Sequence, residues 1–155
     1  MANDQFTTKF KVDIAELKEA FKEAKDQILL ANSEFKKATG GMDDWASSAD
    51  GLSAKLKQLR DVLDAQKTQL QSLKDQYDLV VQSQGENSEG AKKLKTKMNN
   101  LEGAIKDTEA QIETYDEQLG KLKEQDEKVE TLTQKMTDAT DAFGEMLGKR
   151  CHRCY

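Results

Sequence analysis

Residues 52–80 of the chain read LSAKLKQLRDVLDAQKTQLQSLKDQYDLV. Apolar residues recur in this stretch in alternating steps of four and three, which is the heptad spacing of a coiled-coil helix. One polar residue, Gln66, interrupts the row, and Trp45 lies in phase ahead of it. The stretch therefore predicts a long helix that pairs with other helices along one seam. The seam consists of Trp45, Ala49, Leu52, Leu56, Leu59, Leu63, Gln66, Leu70, Leu73, Tyr77 and Val80.

A second seam precedes it and predicts helix one over residues 13–39. Asp13 and Glu16 have the spacing of a capping box, so the helix is expected to begin at Asp13. The pair Gly40-Gly41 is expected to end it with a left-handed cap. Residues 1–12 alternate between apolar and polar side chains, which predicts a short extended arm. The second seam consists of Ile14, Leu17, Phe21, Ala24, Ile28, Ala31, Phe35 and Ala38.

A third seam follows a loop rich in glycine, asparagine and serine at residues 84–90. It predicts helix three over residues 91–148 with Ser88 as its N-cap, after a helix two over residues 42–83. Long helices with a short connection normally pack as antiparallel neighbours, so residues 42–148 are expected to form a hairpin. The predicted fold is all-α: long heptad-patterned helices in an antiparallel coiled-coil hairpin or an open three-helix bundle. The third seam consists of Ala91, Leu94, Met98, Leu101, Ile105, Thr108, Ile112, Tyr115, Leu119 and Leu122.

The distal part of helix three carries an apolar stripe in a shifted phase. Asp126 occupies a seam position, and the apolar pattern resumes three residues later, as at a stammer. Residues 91–147 number 57 and residues 52–83 number 32, so helix two leaves roughly 25 residues of helix three uncovered. If helix one folds back over the hairpin, the stripe is bare and is expected to bind another copy or a partner. The stripe residues are Val129, Leu132, Met136, Ala139, Phe143 and Met146.

Composition argues against several other classes of protein. The 155 residues include 24 basic and 29 acidic side chains, for a net charge of -5, and no proline. This charge gives no general attraction to nucleic-acid phosphates. The longest uninterrupted apolar run, residues 28–31, is far shorter than the ~20 residues that span a bilayer. Neither nucleic acid nor a membrane is therefore an expected partner, and the absence of a signal-like start predicts a cytoplasmic chain.

No pattern of catalytic or cofactor-binding residues emerges, so the chain is not expected to be an enzyme. The loop at residues 84–90 has the glycine spacing of a P-loop but lacks its Gly-Lys-Ser/Thr ending. Asp43 and Asp44 lack a neighbouring histidine or lysine and are expected to cap helix two.

The cluster Cys151-His152-Arg153-Cys154 is the one group with metal or redox character. A structural zinc site needs four ligands, and the sequence has no other cysteine or histidine to complete one. Residues 149–155 are therefore expected to form a disordered tail with free thiols. An intermolecular metal or disulfide contact is the alternative.

Gln66 and Trp45 bear on assembly rather than on chemistry. A buried amide in a seam can fix the pairing register, so Gln66 is interpreted as a register-setting residue. The in-phase position of Trp45 favours burial at the start of the seam, with the same register-setting role. An exposed anchor for a partner is the alternative for Trp45.

Several stretches share helical surface patterns with one known family. They are FKVDIAEL at residues 10–17, ANSEFKKA at 31–38 and MDDWASSADGL at 42–52, which leads into LDAQK at 63–67. These stretches resemble the N-terminal region of tail tape measure proteins from long-tailed phages and prophages of Gram-positive bacteria. With the loop at 84–90 and the helix after it, the resemblance covers residues 6–122.

The resemblance implies a structural phage tail protein segment that acts in tail assembly and length determination through coiled-coil contacts. It implies the host cytoplasm during assembly, then the virion tail lumen, as the location. The implied partners are copies of the chain itself, the tail tube and a tail assembly chaperone. Because family members are several times longer, the chain is expected to be a fragment, a truncated reading frame or a remnant. The alternative function is a stand-alone helical adaptor or antagonist that binds a host or phage protein through a heptad seam.

Overall fold

The computed structural model describes the backbone of residues 2–151 and the side chains of residue 11 and residues 13–145. Its elements are α1 (Ala2–Thr39), a 3₁₀ turn (Trp45–Ser47), α2 (Ala49–Gln84) and α3 (Glu89–Cys151). The described backbone contains no strand, and the predicted all-α fold of long helices is confirmed. The chain divides into two compact units, the first ending at Asp116 and the second beginning at Glu117.

The start of α1 differs from the prediction. Residues 2–12 are helical, so the extended arm and the helix start at Asp13 are wrong. Phe10 lies four residues before Ile14 and continues the spacing of the second seam ahead of the capping box. No glycine or proline separates the two segments, and extending a helix costs less than starting one.

Two side-chain contacts show that α1 folds back antiparallel along α2. The amide nitrogen of Gln58 donates a hydrogen bond to the Asn32 side-chain oxygen over 2.6 Å. Further along, Gln69 Nε2 donates to the Phe21 carbonyl over 3.5 Å. Moving forward along α2 therefore means moving backward along α1.

The core of the first unit consists largely of seam residues. In α2, Leu52, Leu56 and Leu59 are at most 4 % exposed, as the predicted seam requires. In α1, Ala24 and Ala31 are the buried members of their seam, and short side chains let two helices approach closely. The heptad spacing therefore identified the packed faces of both helices.

The beginning of α3 packs against α2 as the predicted antiparallel hairpin. The buried Thr108 hydroxyl donates a hydrogen bond to Gln66 Oε1 over 2.9 Å. Farther from the loop, the Arg60 guanidinium contacts both carboxylate oxygens of Asp116 at 3.1 Å. These cross-helix contacts show which residues lie opposite each other in the hairpin.

The hairpin loop is shorter than predicted, because α2 extends to Gln84 and α3 begins at Glu89. Gly85 has a positive φ of 85° and donates its N–H to the Val81 carbonyl, which ends α2. The Ser88 hydroxyl accepts the Ala91 N–H over 3.2 Å, which confirms the predicted N-cap of α3.

The connection between α1 and α2 differs from the prediction in how the helices end. α1 stops at Thr39, but Gly40-Gly41 forms no left-handed cap, since Gly85 alone among the described residues has a positive φ. A turn closes it instead, in which the Met42 N–H donates to the Thr39 carbonyl over 2.9 Å.

The N-cap of α2 is a serine rather than an aspartate. Ser48 Oγ accepts the Gly51 N–H over 3.0 Å, whereas the Asp44 side chain makes no capping bond. The chain needs a 3₁₀ turn between the aspartates and α2, so Asp43 and Asp44 lie too far upstream to cap it. Helix two of the prediction is thus a short turn followed by α2.

The hairpin register predicts an intramolecular disulfide for Leu73→Cys/Leu101→Cys in a Cys151→Ser/Cys154→Ser background. This pair lies one heptad closer to the loop on each helix than the hydrogen-bonded Gln66 and Thr108. Mild oxidation should give a monomeric product that migrates faster on a non-reducing gel. Leu73→Cys/Leu94→Cys, one heptad out of register, is the control and should form it far more slowly. Cross-links found only between chains would contradict the hairpin.

Candidate functional site

Four large apolar side chains of α3 in the second unit are exposed. Val129 is 62 % exposed, Leu132 60 %, Met136 71 % and Phe143 61 %. Their spacing in steps of three and four places them, with Ala139, on one face of the helix. A contiguous apolar face of this kind is typical of a surface that binds another protein. We call Val129, Leu132, Met136, Ala139 and Phe143 the distal stripe.

Apart from Ala139, the predicted stripe has five large apolar residues expected to make the contacts, and the structure places four of them on this face. The fifth, Met146, lies outside the side chains that the structure describes. The role of the four in self-association or partner contact stays a prediction, and their exposure is the property that such a role requires.

Polar side chains border the distal stripe on both sides. On one side, lysines recur every seven residues. On the other side lie two threonines, so that border is mostly uncharged. Their hydroxyls donate to carbonyls four residues earlier, Thr133 to Val129 and Thr140 to Met136. The lysine flank consists of Lys121, Lys128 and Lys135, and the opposite flank consists of Asp126, Thr133 and Thr140.

The two predicted register-setting residues both lie at helix contacts of the first unit. Gln66 accepts the Thr108 hydroxyl across the hairpin. The Trp45 ring is half-buried, with its centroid 5.2 Å from that of Phe35 and 5.9 Å from that of Tyr115. Trp45 thereby touches aromatic side chains of both α1 and α3. Whether either residue sets the register stays a prediction.

A buried polar row on α2 was missed by sequence reasoning. Gln69, Ser72 and Gln76 are only 4–6 % exposed. The Ser72 hydroxyl donates to the Leu17 carbonyl, and Gln76 Nε2 donates to Ser72 Oγ over 3.1 Å. The row ties α2 to the backbone of α1. The residues of the row are spaced in steps of three and four, which could have indicated a second packed face. The spacing was missed because the seams were defined by apolar residues alone.

Two lysines at the contact between α1 and α2 have shifted pKa values, and in both cases the neighbouring groups are part of the packing between these helices. Hydrogen bonds to Asp61, at 2.8 Å, and then to Glu34, at 3.1 Å, raise the pKa of Lys57. Burial lowers the pKa of Lys55, whose ammonium lies 5.0 Å from the centre of the Phe35 ring. Both ammonium groups thus link the last turns of α1 to α2.

The described residues offer neither a group of metal ligands nor a membrane-spanning helix. No group of three or more histidine, cysteine, aspartate or glutamate side chains there is placed to hold a metal ion. In the same part of the chain, no helix is long and apolar enough to cross a membrane. α3 extends to Cys151, so the expected disorder is wrong for residues 149–151, and residues 152–155 lie outside the described part of the chain.

Replacing both cysteines tests the predicted role of the tail. Cys151→Ser/Cys154→Ser should leave helicity and melting temperature unchanged within error, because both residues lie beyond the last seam residue. Circular dichroism and a metal assay on the purified protein check this. Stoichiometric zinc, lost together with stability in the variant, would contradict it.

Comparison with protein-family models, with curated proteins and with solved structures gives no match. The class of the protein therefore follows from its own geometry. It is an all-α protein of long helices with an antiparallel hairpin, α1 folded back along α2, and an exposed apolar face on α3.

Proposed function

We propose that the chain is a structural phage tail protein segment, similar to a tape measure protein, that acts in tail assembly and length determination through coiled-coil contacts. The observation that carries this proposal is the distal stripe, an apolar helix face with large side chains 60–71 % exposed. Its partners are other copies of the chain and the tail tube or a tail assembly chaperone. Its locations are the host cytoplasm during assembly and then the tail lumen.

The helical architecture supports such a role physically. A helix rises ~1.5 Å per residue, so a mostly helical chain converts residue number into length. The first unit offers a packed body, and the distal stripe offers a surface that becomes buried only when another helix covers it. The family resemblance over residues 6–122 supplies the phage tail as the setting.

Gene context and virion composition test the proposal together. The gene is expected beside genes for the tail tube, tail terminator and tail tip, and the chain is expected in purified particles by mass spectrometry. A gene with its own promoter, away from any tail gene, and a chain absent from particles would contradict the proposal.

The distal stripe equally suits a second function, a helical adaptor or antagonist that lays one face into the groove of a host or phage protein. In that case the chain is expected to be monomeric alone, and the side chains of Leu132 and Phe143 are expected to become protected from solvent only when the target binds. An isolated gene with its own promoter would favour this function over the first.

A further inference from the structure

The distal stripe has the heptad spacing of a coiled coil. With Val129, Met136 and Phe143 at heptad position a, position d is occupied by Leu132 and Ala139. Val129 at a followed by Leu132 at d is the combination that favours two strands over three or four in parallel coiled coils, while the other two a positions hold methionine and phenylalanine. All four large side chains of the stripe are exposed, so both rows are available to another helix.

The flanks of the stripe distinguish a parallel pair from an antiparallel one. In a parallel, in-register pair, position g of one helix faces position e of the next heptad on the other helix. The register of the stripe, continued back across the stammer, places Lys121 at position g and moves Asp126 from a seam position to position e. Lys121 then faces Asp126 of the second copy, and the twofold symmetry repeats this ion pair. The remaining lysines of the flank face threonines.

An antiparallel pair brings the lysine flank against itself. With Val129 opposite Ala139 of the second copy, Lys135 lies beside its own equivalent, and Asp126 faces no lysine. Like charges that face each other disfavour such an arrangement. The Lys121 side chain is 75 % exposed, and its ammonium lies 3.9 Å from Glu117 in the same helix. An exposed contact this long leaves the ammonium able to turn towards a carboxylate of the second copy.

We propose that two copies of the chain associate side by side through the distal stripe, as a parallel and in-register two-stranded coiled coil. Lys121 of each copy pairs with Asp126 of the other. The inference rests on the proposed use of the distal stripe for self-association, and it adds the number and the direction of the helices.

Cysteine cross-linking tests direction and register in the full chain with Cys151→Ser/Cys154→Ser. Gln125→Cys and Ala139→Cys each place one thiol at position d without removing a large stripe residue. In the parallel pair each variant should cross-link to itself within minutes under mild oxidation. A mixture of the two should give only these like-with-like products. Gln134→Cys, on the far side of the helix, is the matched control and should not cross-link.

The outcomes separate the inference from the proposed function. A two-chain mass by light scattering with like-with-like cross-links supports both the parallel pairing and the use of the stripe for self-association. A two-chain mass without like-with-like cross-links overturns the parallel pairing and leaves self-association standing. Three or more chains overturn the two-stranded pairing. A monomer at high micromolar concentration overturns both the pairing and the use of the stripe for self-association.

A charge exchange tests the ion pair independently of the cysteines. Lys121→Glu should raise the dissociation constant of the pair roughly fivefold, because two attractions become repulsions. Adding Asp126→Lys to the same chain should restore the affinity, which a loss of local helix stability would not permit. Lys123→Glu, away from the stripe, should have no effect on affinity. Failure of the double exchange to restore binding would overturn the pairing of Lys121 with Asp126.

Discussion

Replacing Leu132, Met136 and Phe143 together with glutamate should convert the self-associated chain to a monomer while the hairpin stays helical. Burying each of these apolar side chains is worth ~1.5–3 kcal/mol, and the three glutamates add like charges to the contact. The dissociation constant should therefore rise by at least ~100-fold. Analytical ultracentrifugation over a concentration series measures this.

A control with the same added charge separates the stripe from general charge effects. Thr131→Glu/Gln134→Glu/Thr137→Glu places three glutamates on the far side of the same helix, at exposed positions. This variant should associate as the unchanged chain does. If both triple variants weaken association equally, net charge rather than the distal stripe would control it.

Gly51→Ala should destabilise the first unit by about 3 kcal/mol, because the added methyl group meets the tightest surroundings of any glycine in the described part of the chain. A Cβ at Gly51 would lie 2.1 Å from the Trp45 carbonyl oxygen and 2.8 Å from Ser48 Oγ. Backbone of the 3₁₀ turn cannot rotate away as a flexible side chain does. The melting temperature should fall by about 10 °C, with a shift in the fluorescence of Trp45, the only tryptophan.

Gly103→Ala is the matched control and should have the opposite effect. No atom lies within 4 Å of a Cβ built at Gly103, which is an exposed position inside α3. Alanine is a better helix former than glycine there by ~1 kcal/mol, so the melting temperature should rise by a few degrees. Equal stability of the two alanine variants would contradict the tight turn around Gly51.

The heptad spacing was sufficient to predict the helices, the hairpin and the exposed face of α3. Spacing is informative here because a helix that packs on one side repeats its apolar residues every three or four positions. The mismatch in length between helix two and helix three predicted exposed residues such as Leu132 and Phe143, and both are about 60 % exposed. Register followed from the short loop, as the contact between Gln66 and Thr108 shows.

Local rules failed where several short signals competed. The alternation at residues 1–12 was read as a strand, although Phe10 also fits the helical seam that continues at Ile14. A capping box does not start a helix when nothing ends the helix before it. Whether a glycine takes a left-handed conformation depends on the path of the following chain, which differs between Gly40 and Gly85.

The buried polar row of α2 was beyond a search for apolar residues. Ser72 and Gln69 occupy the face that contacts α1 because their donors reach carbonyls of that helix. Such partners become visible only when the second helix is in place, since the sequence shows a polar residue but not what it bonds. The same limit applies to Ser48, whose capping role depends on the turn around Trp45.

The molecular mass of the unchanged chain in solution tests most directly the claim that the distal stripe joins copies of this protein. Light scattering coupled to size exclusion at high micromolar concentration should give twice the chain mass of 17.4 kDa. The Leu132→Glu/Met136→Glu/Phe143→Glu variant should give the single-chain value under the same conditions. A mass of one chain for the unchanged protein would contradict the account.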